Sequence, residues 1–272
     1  MKQGSWWPVA LFAALWVATG VVRLDPAHGA AAAYAGPDDA RATRWTTRSK
    51  GQTTTYAAAP RHGFDVRVDA RLLTGGEAAE LGAAALAELD AQLHQIVRKA
   101  RPAALEKLRA VPIWVGQDDP VAPCACYHPS PEWLRQNGFD AQKAKAVEIA
   151  NAAHFVAWTR EQPWMVLHEL AHGVDDRLLQ ASDGPASWGG RLDALWRAAR
   201  DAGSYDAVLH WDGGTVRHYA LNTSDEYFAE ASEAWFGTND FFPFVHPELL
   251  QHDPELCKLL AEVWGDPITS KG

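Results

Sequence analysis

Residues 163–179 read PWMVLHELAHGVDDRLL, and the rest of the chain is best read outward from them. Pro163 suits the first turn of a helix, where its missing N–H does no harm, and the spacing predicts a helix from Pro163 to Leu179. On such a helix His168 and His172 stand four apart, about 40° around the axis, so both imidazoles leave one face and can grip one ion. Glu169 stands one step round, where it can act as general base toward a water on that ion. The chain has 11 His among 272 residues. A chain of this composition yields only about 0.02 accidental matches to HExxH. Met165–Leu167 before the pattern and Gly173–Val174 after it are uncharged, so the helix should be buried. Two His and a Glu left unpartnered there would cost several kcal/mol.

A catalytic zinc commonly keeps three protein ligands and one open position. The longer HExxHxxGxxH pattern would need glycine and histidine where Asp175 and Leu178 stand, so the third ligand must come from elsewhere. NTSDEYFAEASE, residues 222–233, offers one. Thr223 or Ser224 can cap a helix there, and Glu226, Glu230 and Glu233 then share a face. A solvated acidic face is the plain alternative. Tyr227, Phe228, Ala229, Ala231, Ala234, Trp235 and Phe236 surround the stripe, however, and buried carboxylates need a cation. We read Glu226 as ligand and Glu230 as the acceptor that holds a ligating His in its tautomer. Asp175 and Asp176 are expected to support the site or cap the helix rather than bind metal.

HELAHGVDD (168–176), with Tyr219 seven residues ahead of Glu226 in YALNTSDEYFAEA, resembles the gluzincin-type zinc metallopeptidases of the anthrax lethal factor and Pro-Pro endopeptidase kind. The resemblance spans roughly residues 165–236. It implies a zincin fold with zinc held by His168, His172 and Glu226, Glu169 as general base and Tyr219 steadying the oxyanion. Independently, a phenol at the mouth of such a site can donate to a growing negative charge, while a core tyrosine is the equal alternative. His218 beside it is read as a surface residue or a substrate contact, and His128, His154, His210, His246 and His252 as structural.

Formal net charge is −9, which argues against a nucleic-acid partner because phosphate neutralisation needs a basic face. VALFAALWVATGVV, residues 9–22, follows Lys2 and precedes small residues at 29–33. That is the pattern of a secretory signal peptide, with an uncleaved anchor as the alternative. We expect a signal peptide over 1–33, a flexible leader over 34–60 and a metallopeptidase domain over 61–268, in a secreted or periplasmic monomer. Export permits a disulfide. Cys257 with Cys124 or Cys126 is the expected bridge, and a metal site from Cys124, Cys126 and His128 is the weaker reading.

Strand expectations are Phe64–Val68, Val111–Val115 and Ala146–Ala150. Helices are expected at Glu77–Lys99, Glu132–Gln136, 224–236 and 254–264, and a hairpin at Val208–Trp211 with Val216–Tyr219. The fold class is α+β: a small mixed sheet, the HExxH helix and a following helix carrying the third ligand. The expected function is zinc-dependent hydrolysis of peptide bonds in a peptide or protein substrate, aligned along a sheet-edge strand at Ala146–Asn151. The alternatives are a zinc hydrolase of a non-peptide amide or ester, and a glycan-binding module built on Trp133, Trp158, Trp164, Trp188 and Trp211.

Overall fold

The computed structural model describes residues 43–179, 181 and 184–267. The segment 1–33, read above as a signal peptide, lies outside them. Strands β1 (Arg44–Ser49) and β2 (Gln52–Ala58) open the described chain. The expectation of a flexible leader through Pro60 is therefore corrected. RWTTRS and QTTTYAA are Thr-rich rather than apolar, but β-branched threonine suits a pleated strand. Lys50 and Gly51, both at positive φ (47° and 87°), make the two-residue turn that matches hairpin twist.

The chain continues through β3 (Val66–Asp69), α1 (Glu77–Lys99), α2 (Pro102–Arg109), β4 (Ile113–Val115), β5 (Ala125–Tyr127) and α3 (Pro131–Gln136). Next come β6 (Val147–Ile149), α4 (Ala152–Trp158), α5 (Met165–Leu179), α6 (Trp188–Asp201), β7 (Val208–Leu209) and β8 (Thr215–Val216). Helices α7 (Ser224–Phe236), α8 (His246–His252) and α9 (Pro254–Trp264) follow. The domain is α+β, as expected. The expected hairpin is shorter than its sequence pattern, and Tyr219 belongs to a one-turn 3₁₀ helix, Tyr219–Leu221.

The large sheet runs β1-β2-β3-β4-β6-β5. β3, β4 and β6 are parallel, while β1, β2 and β5 join antiparallel. One expectation fails here: β6 lies between β4 and β5, so the edge beside the helices is β5. In register, Ala125 faces Ile149 and Tyr127 faces Val147. Bonds from Ala150 N to Cys124 O and from His128 N to Ala146 O fix the alternation of the ladder. They leave the N–H and C=O of Ala125 and Tyr127 pointing away from β6.

Val66 and Val68, Ile113 and Val115, and Val147 and Ile149 face the main core with Leu89, Leu93 and Ile96 of α1. Tyr56 and Trp114 pack on the far face with Ala146. α5 crosses the main core through Val166, Leu167, Leu170, Ala171 and Val174. Buried Gln92 of α1 accepts from Val166 N at 3.0 Å, satisfying one of the free N–H groups that any helix start leaves. A Cβ on Gly173 would sit 2.8 Å from Val111 and 3.1 Å from the Tyr127 ring. Only glycine lets α5 lie this close to β5.

All three cysteines are buried free thiols, so the expected Cys257 bridge is not made. Cys124 instead meets the Met165 sulfur at 3.4 Å. Trp164 and Trp188 belong to the core, whereas Trp211 is 51% exposed. Among the described residues no helix is long and apolar enough to cross a membrane.

Candidate metal centre between two helices

α5 and α7 face one another, and α7 is buried from Glu226 to Phe236. Thr223 Oγ1 caps α7 by accepting from Glu226 N at 3.2 Å, which seats Glu226 in the first turn. His168 Nε2 lies 3.0 Å from Glu226 Oε2, His172 Nε2 lies 3.3 Å from the same oxygen, and the two Nε2 atoms are 3.1 Å apart. A tetrahedral ion with bonds of about 2.0–2.1 Å has ligand-to-ligand edges of roughly 3.3 Å. The three donors therefore fit one face of such a shell, as the sequence spacing predicted.

Glu169 supplies a second test of that fit. It is buried, and its Oε2 has no hydrogen-bond partner among the described residues. Leaving a buried carboxylate oxygen unpaired is costly, and here it belongs to the residue that the pattern makes the base.

The support behind His168 differs from the expectation. Its Nδ1 meets Glu233 Oε1 at 2.8 Å and Glu230 Oε1 only at 3.7 Å. Glu233, one turn further along α7, takes the role assigned to Glu230. Glu230 Oε2 instead accepts from Asn239 Nδ2 at 2.9 Å. Asp175 is buried, and its Oδ1 accepts from Trp188 Nε1 at 2.5 Å. Asp176 turns the other way, accepting from the Tyr127 hydroxyl at 2.7 Å and pairing with Lys145 at 2.8 Å.

His218 is buried, not a surface residue. Its Nδ1 accepts from Ala220 N at 3.1 Å and so caps the 3₁₀ turn that carries Tyr219. Burial, with help from His252 and Arg217, pushes His218 down to about 3, so it stays neutral. The Tyr219 hydroxyl bonds Glu226; burial, then the charges of Glu226 and Glu169, keep the phenol well above its usual range. It is therefore a proton donor at neutral pH.

The electrostatics follow the geometry. Burial alone would raise Glu226, but His172 and His168 hold it well below the carboxylate range. Burial works against protonation of His168 and His172, yet Glu226, aided at His168 by Glu233, carries both above the ordinary imidazole value. Protons and a metal ion would thus compete for the same atoms. Burial pushes Glu233 up to about 7. Glu230 is carried well above its usual value by burial, then by Asp240 and Glu233.

No family model, no curated protein and no solved structure matches the chain. The reading of the site rests on its own residues. His168, His172, Glu169, Glu226 and Tyr219 come together as the sequence placed them. Glu233, the His218 cap and the Asp176 tie to β5 were missed. Only Glu233 had left a signal, as the third member of the acidic stripe.

Proposed function

We propose that the chain is an exported zinc-dependent endopeptidase of the zincin fold and gluzincin type. The observation that carries this reading is the convergence of His168, His172 and Glu226 at metal-ligand spacing beside the unpaired oxygen of Glu169. The donor set suits zinc, a borderline-soft ion that takes imidazole and carboxylate together. His168, His172 and Glu226 would hold the zinc, which would supply a Lewis acid for the scissile carbonyl and lower the pKa of a water.

The remaining steps belong to the chain. Glu169 Oε2 takes the proton from the attacking water and delivers it to the leaving amine. The Tyr219 hydroxyl, held protonated, donates to the oxygen on which charge grows. Glu233 fixes His168 as the tautomer with its proton on Nδ1, which presents Nε2 as the ligating atom. The outward N–H and C=O groups of Ala125 and Tyr127 on β5 offer an extended peptide a main-chain ladder. That open edge favours a peptide over other amides and esters.

The test compares wild type with Glu169→Gln for bound metal and for cleavage of a peptide library. We expect one zinc in each, with kcat in the mutant lower by about 10²–10⁴-fold. Zinc in both with no peptide cleaved by wild type would shift the assignment to a non-peptide amide or ester. Absence of bound zinc would overturn the reading of the site.

A further inference from the structure

A second set of buried charges lies on the far face of the sheet and has no part in the chemistry above. Lys143 is 1% exposed and Glu148 is 0% exposed. The Lys143 ammonium pairs with Asp119 at 2.6 Å and with Glu148, and donates to the Tyr56 hydroxyl at 3.0 Å. Glu148 Oε2 meets His128 Nε2 at 2.8 Å. Burial opposes both charges. Glu148, Tyr56 and Asp119 nonetheless hold the ammonium above its ordinary value, and His128 and Lys143 hold the Glu148 carboxyl below its own. A buried network of this kind is often no more stable than a well-packed apolar substitute, so its use is sought in the geometry it enforces.

That geometry centres on one segment. Asp119 and His128 bracket the loop and strand at 119–128, and both reach the same ammonium, Asp119 directly and His128 through Glu148. Asp119 N donates to Ala150 O at 2.8 Å, and Asp119 Oδ1 accepts from Val121 N at 3.1 Å. Between these anchors β5 has a ladder partner on one side alone. Its last residue, Tyr127, is bonded to Asp176 of the metal helix, where Lys145 also pairs. The segment 119–128 is thus held at both its ends by the network, and the end of β5 is tied through Tyr127 to α5, one turn beyond His172.

We propose that Lys143, Asp119, Glu148 and His128 are positioning residues that fix the open edge of β5 against the HExxH helix, and so set the depth at which an extended peptide chain enters the site. The proposal rests on the peptidase reading for its functional consequence, but not for its structural one. The experiment keeps the two apart by following hydrogen exchange and kinetics in the zinc-loaded protein carrying Lys143→Met.

Amides in 119–128 should exchange at least about tenfold faster, over and above any acceleration in α1 and β3, whose amides report global opening. Zinc content should be unchanged. With a cleavable peptide, KM should rise about tenfold while kcat stays within about twofold. Equal acceleration in every segment, or none in 119–128, would overturn the proposal. A fall in kcat without a change in KM would overturn its functional half. If wild type cleaves no peptide, the exchange data still decide whether the edge is held in this way.

If Lys143→Met does not fold, His128→Ala and His128→Gln replace it. The glutamine keeps a donor toward Glu148, so it should restore slow exchange where alanine does not. Equal behaviour of the two would count against the network.

Discussion

Between α5 and α7 the carboxylates of Glu226 and Glu233 pair only with imidazoles among the described residues. Across the sheet, Asp119 and Glu148 close on the ammonium of Lys143. Both regions bury negative charge, but they balance it differently. An imidazole can give up its proton and use the same nitrogen for a metal ion, so positive charge in the first region is exchangeable. In the second the Lys143 ammonium, held above its ordinary value by Glu148, Tyr56 and Asp119, keeps its proton beside the His128–Glu148 pair. Exchangeable charge suits a site that must load an ion; permanent charge suits a scaffold that must not move.

Five substitutions would break or sharpen that contrast. Lys143→Met should have the largest effect on stability. It leaves buried carboxylates without their cation, a loss of about 3–5 kcal/mol, read as a lower urea midpoint at neutral pH. A loss below about 1 kcal/mol would erase the distinction between the two regions.

Glu233→Gln should come next and should leave the metal-free fold nearly intact. Weakening the acceptor behind His168 is expected to lower zinc affinity about 10–100-fold, measured by competition with a chromophoric chelator. Glu230→Gln should change it less, because its nearest oxygen stands 3.7 Å from Nδ1. The reverse order would restore Glu230 to the role that sequence spacing assigned it.

One group in each region, Asp175 in the first and Glu148 in the second, should respond to pH with opposite sign. Burial, and then the neighbouring Asp225, push Asp175 up to about 7 from an ordinary 3.8. The folded chain therefore holds a proton that the unfolded chain has lost, and stability falls as pH rises from about 4 to about 7. Glu148 is shifted downward. Its contribution is present above its ordinary 4.5 and is lost as pH falls through its folded value. Urea titrations of metal-free protein should show a decline toward neutral pH that Asp175→Asn flattens. They should also show an acid-side loss that Asp175→Asn leaves in place.

The smallest effect is expected on the surface. Arg191 and Glu262 make a two-pronged pair at 2.9 and 2.7 Å, with their side chains 41% and 54% exposed. Arg191→Ala should cost less than about 1 kcal/mol, and less still in high salt. Equality with Lys143→Met would mean that burial is not what separates these ion pairs.

Much of the centre was legible because it is written at helical spacing. His168 and His172 lie four apart, and the acidic stripe of α7 repeats every three or four residues, so helix geometry alone puts each set on one face. The polar hairpin at 44–58 was hidden by its composition: Thr-rich strands with few apolar residues resemble a linker unless the Lys50–Gly51 turn is recognised. β5 was hidden by brevity. Three residues after a Pro- and Cys-rich stretch give no period to read, and the ladder that orders them comes from β6, some twenty positions later.

By itself, the sequence put His168 and His172 on one face of one helix and Glu226, Glu230 and Glu233 on one face of another, because short-range helical spacing suffices for that. Only the tertiary structure decided that Glu233 rather than Glu230 backs His168, since that depends on the rotation of α7 against α5. The same holds for β5 as the open edge and for Lys143 gathering Asp119 and Glu148 beneath it. Contacts of this kind depend on long-range register, which no local pattern encodes.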